Sequence, residues 1–476
     1  MSSGTVKVVT RGHGVADLNE SQVADLDRMM TGSVLRHGDD GYDESRTIWN
    51  AMIDRSPAFI ARCETTADVK HAVDFARKHG LLLAVRGGGH NIAGNAVCDG
   101  GMMIDLSPMN FVRVDTQSKI AQVGPGATLG DVDRQTQAHG LATPTGINST
   151  TGIAGLTLGG GFGWLSRKYG LTADNLVGAE VVTAAGEVVE ANTQDHPDLF
   201  WALRGGGGNF GIVTRFDYTL YEVGPDLLSG LVVYPLDQAK DALEKYRDIA
   251  AGLDDETSIW AVLRMAPPLP FLPETVHGKP IIAFAVFHVG DPDEGRAAIE
   301  PIRHLGTPYG EQVGVQPFSA WQQAFDPLLT PGARNYWKSH NFTELSDGAI
   351  DLLVDFAGKV PSPHCEIFVG QLGGQVNRVA PDHIAYPHRD AEFVVNVHGR
   401  WETAQEDERG VGWSRDFFNA SAPHATGGVY VNFMTEEEGD RIGAAFGPNW
   451  NRLVAVKTRY DPENLFRLNQ NVPPAG

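Results

Sequence analysis

Residues 84–94 read AVRGGGHNIAG and residues 158–163 read LGGGFG. Runs of glycine leave the main chain without Cβ atoms, so neither stretch continues a helix or a strand; each is backbone shaped to lie against something closely. Regular structure must carry such loops. Before the first, TADVKHAVDFARKHG predicts a helix with Thr66 as its N-cap, apolar residues at helical spacing, a basic last turn and Gly80 as its C-cap. The apolar run LLLAV then predicts a buried strand leading into the glycines. MMIDLS predicts another strand, FVRVDTQSKIAQVG a hairpin, and 129–139 a helix closed by Gly140. Residues 144–163, PTGINSTTGIAGLTLGGGFG, hold neither period. NLVGAEVVTAAGEVVEA returns to hairpin patterning, and GNFGIVTRFDYTL ends this region on a strand.

Beyond about residue 220 the glycine clusters mostly stop. Long strand candidates (GLVVYP, IIAFAVFHV, EIFVGQLGG, EFVVNVHGRW) alternate with amphipathic helices at 237–252 and 293–305. This predicts a separate α+β region, one sheet with helices on one face. The final segment, NWNRLVAVKTRYDPENLFRLNQNVPP, predicts a helix and then a polar, Pro-terminated tail that must dock to be ordered.

A formal net charge of −21 repels phosphate backbones, which argues against nucleic acid as a partner and favours a small neutral or cationic ligand. Cys63, Cys98 and Cys365 lie too far apart for a disulfide framework or a CxxC metal site. The N-terminus lacks the apolar stretch of a signal peptide, and IIAFAVFHV is too short to span a bilayer, so a soluble cytoplasmic protein is expected, with no membrane partner. GGGNFG at 206–211 matches GxGxxG, but a strand-like segment follows it where a dinucleotide fingerprint needs a helix. Walker A and HExxH patterns are absent, and GIAGL lacks the serine of a nucleophile elbow.

In RGGGHN, successive N–H groups can converge on an anion such as a pyrophosphate, and LGGGFG offers a second surface of that kind. Two such surfaces in a net negative chain argue for a large cofactor whose phosphates are held by backbone rather than by lysines; tight turns are the competing reading. His90, at the tip of the first loop, is open to several roles: a side chain satisfied by a carbonyl, a base, a nucleophile or a metal ligand. No second ligand stands near it, so no metal site is expected.

Five blocks in order, AVRGGGHNIAGNAVCDGGMMIDLS, VGPGATLGDV, GLTLGGGFGWLSRKYGLTADNL, DLFWALRGGGGNFGIVT and YDPENLFRLNQNVPP, resemble the FAD-linked oxidases of the vanillyl-alcohol oxidase superfamily, in particular the berberine-bridge-enzyme-like branch. The resemblance implies an α+β, two-domain fold: a PCMH-type FAD-binding domain from 1–220 and 440–476, and a substrate domain over 221–439 with a helix-covered antiparallel sheet. It implies FAD bonded through its 8α-methyl carbon to His90. By motif, it assigns FAD contacts to Arg86, Gly87, Gly88, Gly89, Asn91, Gly94 and Asn95 in the first loop, and to Thr145, Gly146, Asn148, Gly152, Gly155, Gly159, Gly160 and Gly163 in the second. Gly211, Ile212 and Val213 follow near the adenine, with Tyr430 and Asn432, and Asn469 and Asn471 return from the tail.

One departure limits the tether. Many branch members carry a second link from a cysteine in a GxCP context; here the segment reads GINST, with Asn148 in place, and an amide cannot form a thioether. A single bond through His90 is expected, with Cys98 a packed residue. For catalysis, the two-residue period of EFVVNVHGRW puts Val394, Asn396 and His398 on one face, with Asn396 where relatives have Gln or Glu. Asn396 can orient a substrate but not take its proton, so Tyr430 and His398 are the candidate bases, Tyr430 the better of the two. Phe433 stands where relatives often have Tyr. The implied activity is an oxidase passing a hydride from a small organic substrate (an alcohol, a sugar or a secondary metabolite) to FAD and then to molecular oxygen, giving hydrogen peroxide. A dehydrogenase with another electron acceptor, or a flavin carrier without turnover, are the alternatives. Nothing in the sequence specifies an oligomeric state.

Overall fold

The computed structural model describes residues 4–476. The helix before the first glycine loop spans Thr66–His79, with Thr65 rather than Thr66 as its N-cap. That one-residue shift has a local cause: Asp68 falls at the third helical position, where its backbone and side chain close a capping box with Thr65. Gly80 ends the helix in the left-handed conformation at φ 61°. The chain turns into the strand Leu83–Arg86, which pairs in parallel with Met102–Asp105. Phe59–Arg62 and Ser33–Arg36 complete that four-stranded sheet.

Both expected hairpins form, as Val112–Asp115 with Ile120–Val123 and as Leu176–Val182 with Val188–Ala191. Ile212–Thr219 bridges them into one five-stranded antiparallel sheet. Residues 144–163 contain an element that the sequence does not announce, a short helix over Ile153–Leu158. At six residues it is too short to display an amphipathic period.

The second region is a seven-stranded antiparallel sheet, ordered Gly310–Pro317, Asp226–Pro235, Pro280–His288, Thr257–Met265, Glu366–Gln371, Phe393–Trp401, Arg334–Phe342. Three of these strands escape sequence patterning. Thr257–Met265 is buried almost throughout, so it lacks alternation. Arg334–Phe342 (RNYWKSHNF) buries polar residues that disguise it, and Gly310–Pro317 is an edge strand. Helices Ala239–Ala251, Pro292–Arg303, Asp347–Ala357 and Asp407–Ser421 contribute Leu243, Ile299, Leu353 and Phe417 to a core with Val395 and Val397. Each such side chain stabilises the fold by about 1.5–3 kcal/mol. The opposite sheet face turns Val394, Trp260 and Phe368 toward Phe162, Trp164 and Tyr430.

The tail docks as expected. Helix Trp450–Tyr460 packs on helix Pro197–Leu203. The Lys457 ammonium, fully buried, lies 2.6 Å from the Asp461 carboxylate and donates to the carbonyls of Asn209 and Phe466. Among the described residues, no helix is long and apolar enough to cross a membrane.

Candidate functional site

A cavity of about 490 Å³ runs from the glycine loops to the uncovered face of the seven-stranded sheet. Its wall includes Gly87, Gly88, Gly89, His90, Asn91 and Asn95 of the first loop, and Gly146, Asn148, Gly152 and Gly155 of the second. Gly211, Ile212 and Val213 join them, with Asn469 from the tail and His398, Tyr430 and Asn432 from the substrate side. The remaining predicted residues stand behind the wall. The Arg86 guanidinium turns to the Ser45 carbonyl, Gly94 packs on Ile53, and Thr145 accepts a hydrogen bond from Gln322. Gly159 lies against Asn432, Gly160 against Tyr386 and Gly163 against the Thr145 carbonyl. Asn396 is wholly buried opposite Ser339 and Phe368, and Asn471 keeps a buried, unpartnered Oδ1.

The glycines divide into two kinds. A Cβ on Gly88 would come 2.4 Å from the Gly152 Cα, so this pair is bare because the two loops touch each other. Cβ atoms on Gly155 or Gly208 would meet nothing within 4 Å, yet both residues line the cavity. The amides of Gly88, Gly89, His90 and Asn91 find no acceptor among the described residues. An open row of N–H donors beside bare glycine surface is a cradle for a phosphate-bearing ligand. Arg264 is the only Lys or Arg on the wall among the described residues, so phosphate charge there would be met by backbone.

His90 stacks on Trp49 with ring centroids 5.1 Å apart, and its Nε2 lies 3.1 Å from Thr150 Oγ1. Proton bookkeeping sets the tautomer. Asn148 Oδ1 accepts from the Thr150 amide, which fixes the amide orientation, and also from the Thr150 hydroxyl at 2.6 Å. With its one proton committed, Thr150 can only accept from His90, so Nε2 carries the hydrogen and Nδ1 offers a lone pair. Burial pushes the imidazole down to about 4, against the pull of the Thr150 contact, so the ring is neutral at physiological pH. Cys63, Cys98 and Cys365 are all buried away from the cavity wall, and Cys98 packs with Leu82 and Ala84.

At the sheet end, His398 Nδ1 lies 3.0 Å from Glu366 Oε1, and Arg264 Nη1 lies 2.6 Å from Glu366 Oε2. Burial alone would raise the Glu366 carboxyl, but Arg264 and the His398 hydrogen bond outweigh it and hold it down to about 2. A carboxylate accepts only, so His398 Nδ1 must donate, and its Nε2 is left without a partner. Trp337 stacks on the ring at 4.4 Å. Glu366, Arg264 and Trp337 carry no sequence signal: each lies on a strand of its own, far from His398 in the chain. Tyr430 accepts hydrogen bonds from the Gly161 amide and from Asn432 Nδ2, while burial pushes its phenol up to about 12.

A backbone-lined phosphate cradle, a neutral histidine at its edge and a separate sheet closing the far end define a cofactor-dependent enzyme. Comparison with known proteins gives the family. Residues 57–192 match the FAD binding domain family, and 429–473 match the family described as berberine and berberine like. An FAD-linked oxidoreductase of Aspergillus terreus is 38% identical, covering 96% of this chain and 97% of its own. The crystal structure of 6-hydroxy-D-nicotine oxidase from Arthrobacter nicotinovorans superposes with a TM-score of 0.84 at 30% identity, over 94% of this chain and 98% of that one. A carbohydrate oxidase from Microdochium nivale gives a TM-score of 0.82 at 25% identity, over 96% and 100%. The chain belongs to the berberine-bridge-like FAD-linked oxidoreductases.

Proposed function

We propose that this protein is an oxidase that carries FAD on a single covalent bond, from His90 Nδ1 to the 8α-methyl carbon, with no cysteinyl link, and oxidises an alcohol-bearing organic substrate at the expense of dioxygen. FAD, when bound, supplies the hydride acceptor and passes two electrons on to oxygen, giving hydrogen peroxide. On tethering, the methyl carbon would give up one proton and two electrons and the imidazole its Nε2 hydrogen, two protons and two electrons in all, which dioxygen would take up as hydrogen peroxide. A neutral imidazole is the form that can make this bond, and burial keeps His90 in that form. The amides of residues 88–91 would hold the diphosphate, with Gly155 and Gly208 leaving it room.

His398 is the better proton acceptor, in place of Tyr430. Its Nδ1–H is donated to an ionised Glu366, which leaves Nε2 free to take the substrate's O–H proton as the carbon loses its hydride and the C–O bond becomes a carbonyl. Tyr430, a neutral phenol, orients: its oxygen accepts twice and its own hydrogen is free to donate. Asn396, off the cavity wall, contributes through packing. We divide the chain into a cofactor domain of 1–220 with 440–476 and a substrate domain of 221–439.

The observation that carries the reading is the neutral His90 beside open amides, with no cysteine on the wall among the described residues. The test is acid precipitation followed by peptide mass: yellow pellet, and FAD on the His90 peptide alone. Reduced enzyme should then reoxidise within seconds in air with peroxide formed. Slow reoxidation in air favours a dehydrogenase; a flavin that no substrate reduces favours a carrier.

A further inference from the structure

The antiparallel register sets Trp337, His398, Glu366, Arg264 and Ile281 side by side in one row across five strands. The charges in that row are spent on one another: Arg264 pairs with Glu366, and Glu366 accepts from His398. Two positions along each strand, the next row on the same face runs Ser339, Asn396, Phe368, Val262, Ala283 and Val233, and the four of these on the cavity wall, Phe368 to Val233, are hydrocarbon. The row beyond adds Trp260, Ala285 and Leu231. Phe433 and Phe325 face them from the other side. Apart from the Tyr430 hydroxyl and the unpartnered indole N–H groups of Trp164 and Trp337, a ligand at this end meets two polar points. One is His398 Nε2, an acceptor without a partner; the other is Arg264 Nη2, for which no acceptor is found among the described residues. The two side chains stand two strand spacings apart, about 10 Å.

We infer that the substrate is a flat, largely apolar aryl carbinol, an alcohol whose hydroxyl-bearing carbon still carries a hydrogen, with that hydroxyl on His398 and at most a second oxygen acceptor toward Arg264, and that sugars are excluded. The inference rests on the oxidase reading for the reaction, though not for the binding. A sugar brings a hydroxyl on nearly every carbon. Against Val233, Val262, Ala283, Leu231 and Phe368 most of these would be buried without partners, at about tenfold or more in affinity for each. Aromatic rings lose no such hydrogen bonds, and they stack on Trp260, Phe368 or Trp337. A carboxylate substrate is disfavoured for another reason: Arg264 is already neutralised, and Glu366 beside it repels a second anion.

The experiment is anaerobic titration of the purified holoenzyme with 2-naphthalenemethanol, 2-naphthol, glucose and cellobiose. Binding is read both from tryptophan fluorescence and from the flavin absorbance. The expected result is that the naphthyl probes bind at least a hundredfold more tightly than either sugar, and that Val262→Asn weakens them about tenfold. Sugars binding as tightly as the naphthyl probes, or no naphthyl binding up to millimolar concentration, overturns the substrate class. Flavin content is measured on the same preparation. If FAD is on His90 and sugars bind best, the substrate class fails and the oxidase reading stands. If no FAD is present, that reading fails, and fluorescence titration of the cofactor-free protein still decides the class.

Discussion

His398 and Glu366 face each other across neighbouring antiparallel strands, with Nδ1 3.0 Å from Oε1, and the same carboxylate is paired with Arg264. The arrangement fixes the ring tautomer and leaves Nε2 bare at the edge of the cavity. Replacing His398 by Asn should slow flavin reduction roughly 10²–10³-fold, the range of a lost general base. Glu366→Gln should cost less in rate while shifting the pH profile, because an amide can donate to Nδ1 and select the other tautomer. Tyr430→Phe should cost no more than about tenfold, since a buried phenol near 12 is not a base at neutral pH. Stopped-flow reduction under anaerobic conditions separates the three. Glu366 is held near 2, below its unfolded value, so its contribution to stability is full above the ordinary carboxylate range and is lost as pH falls through about 2. Acid unfolding of Glu366→Gln should therefore be flatter than wild type between about pH 4.5 and pH 2.

His90 gives a second pH signature. Its folded value of about 4 lies below the unfolded 6.5, so the unfolded chain takes up the proton first. FAD-free protein should lose thermal stability as pH falls from about 6.5 toward 4, and His90→Gln should lack that part of the loss. Covalent loading should persist at pH 5, where an exposed imidazole would be mostly protonated. Thr150→Val removes the acceptor that holds the Nε2 tautomer and should lower the covalent fraction, read by fluorescence of the denatured band, while His90→Ala should abolish it.

The two kinds of glycine predict opposite outcomes. Gly155→Leu adds atoms where the protein has none, inside a helix, so the fold should survive with stability unchanged or raised by up to about 1 kcal/mol. FAD uptake should fall sharply. Gly88→Ala drives a methyl into Gly152 and should destabilise the fold with or without cofactor. Thermal melts of both variants, with and without FAD, distinguish clash from lost room.

Lys457→Met leaves Asp461 charged and fully buried, bonded only to the amides of Leu465 and Phe466. Breaking a buried pair in this way costs about 3–5 kcal/mol. Because the same lysine ties the tail to Asn209, FAD retention should fall with stability. Denaturant unfolding and flavin release on gel filtration read the two effects.

The local pattern was legible where one segment carries its own instructions. The helix before the loop, both hairpins, the glycine stretches and His90 each depend on residues close in the chain. Patterning failed where burial removed alternation, as in Thr257–Met265, or where polar residues were buried, as in Arg334–Phe342. It also could not show that the bareness of Gly88 serves Gly152 across a loop contact as well as the cavity, or what stands beside Tyr430 and His398.

The chain by itself determined that two bare loops and a histidine would exist, because glycine conformation and helix capping are decided within a few residues. Only the tertiary structure decided the chemistry of the sheet end. Arg264, Glu366, His398 and Trp337 become neighbours solely through the pairing of four strands, and a register slip of one residue would turn every one of them to the opposite face.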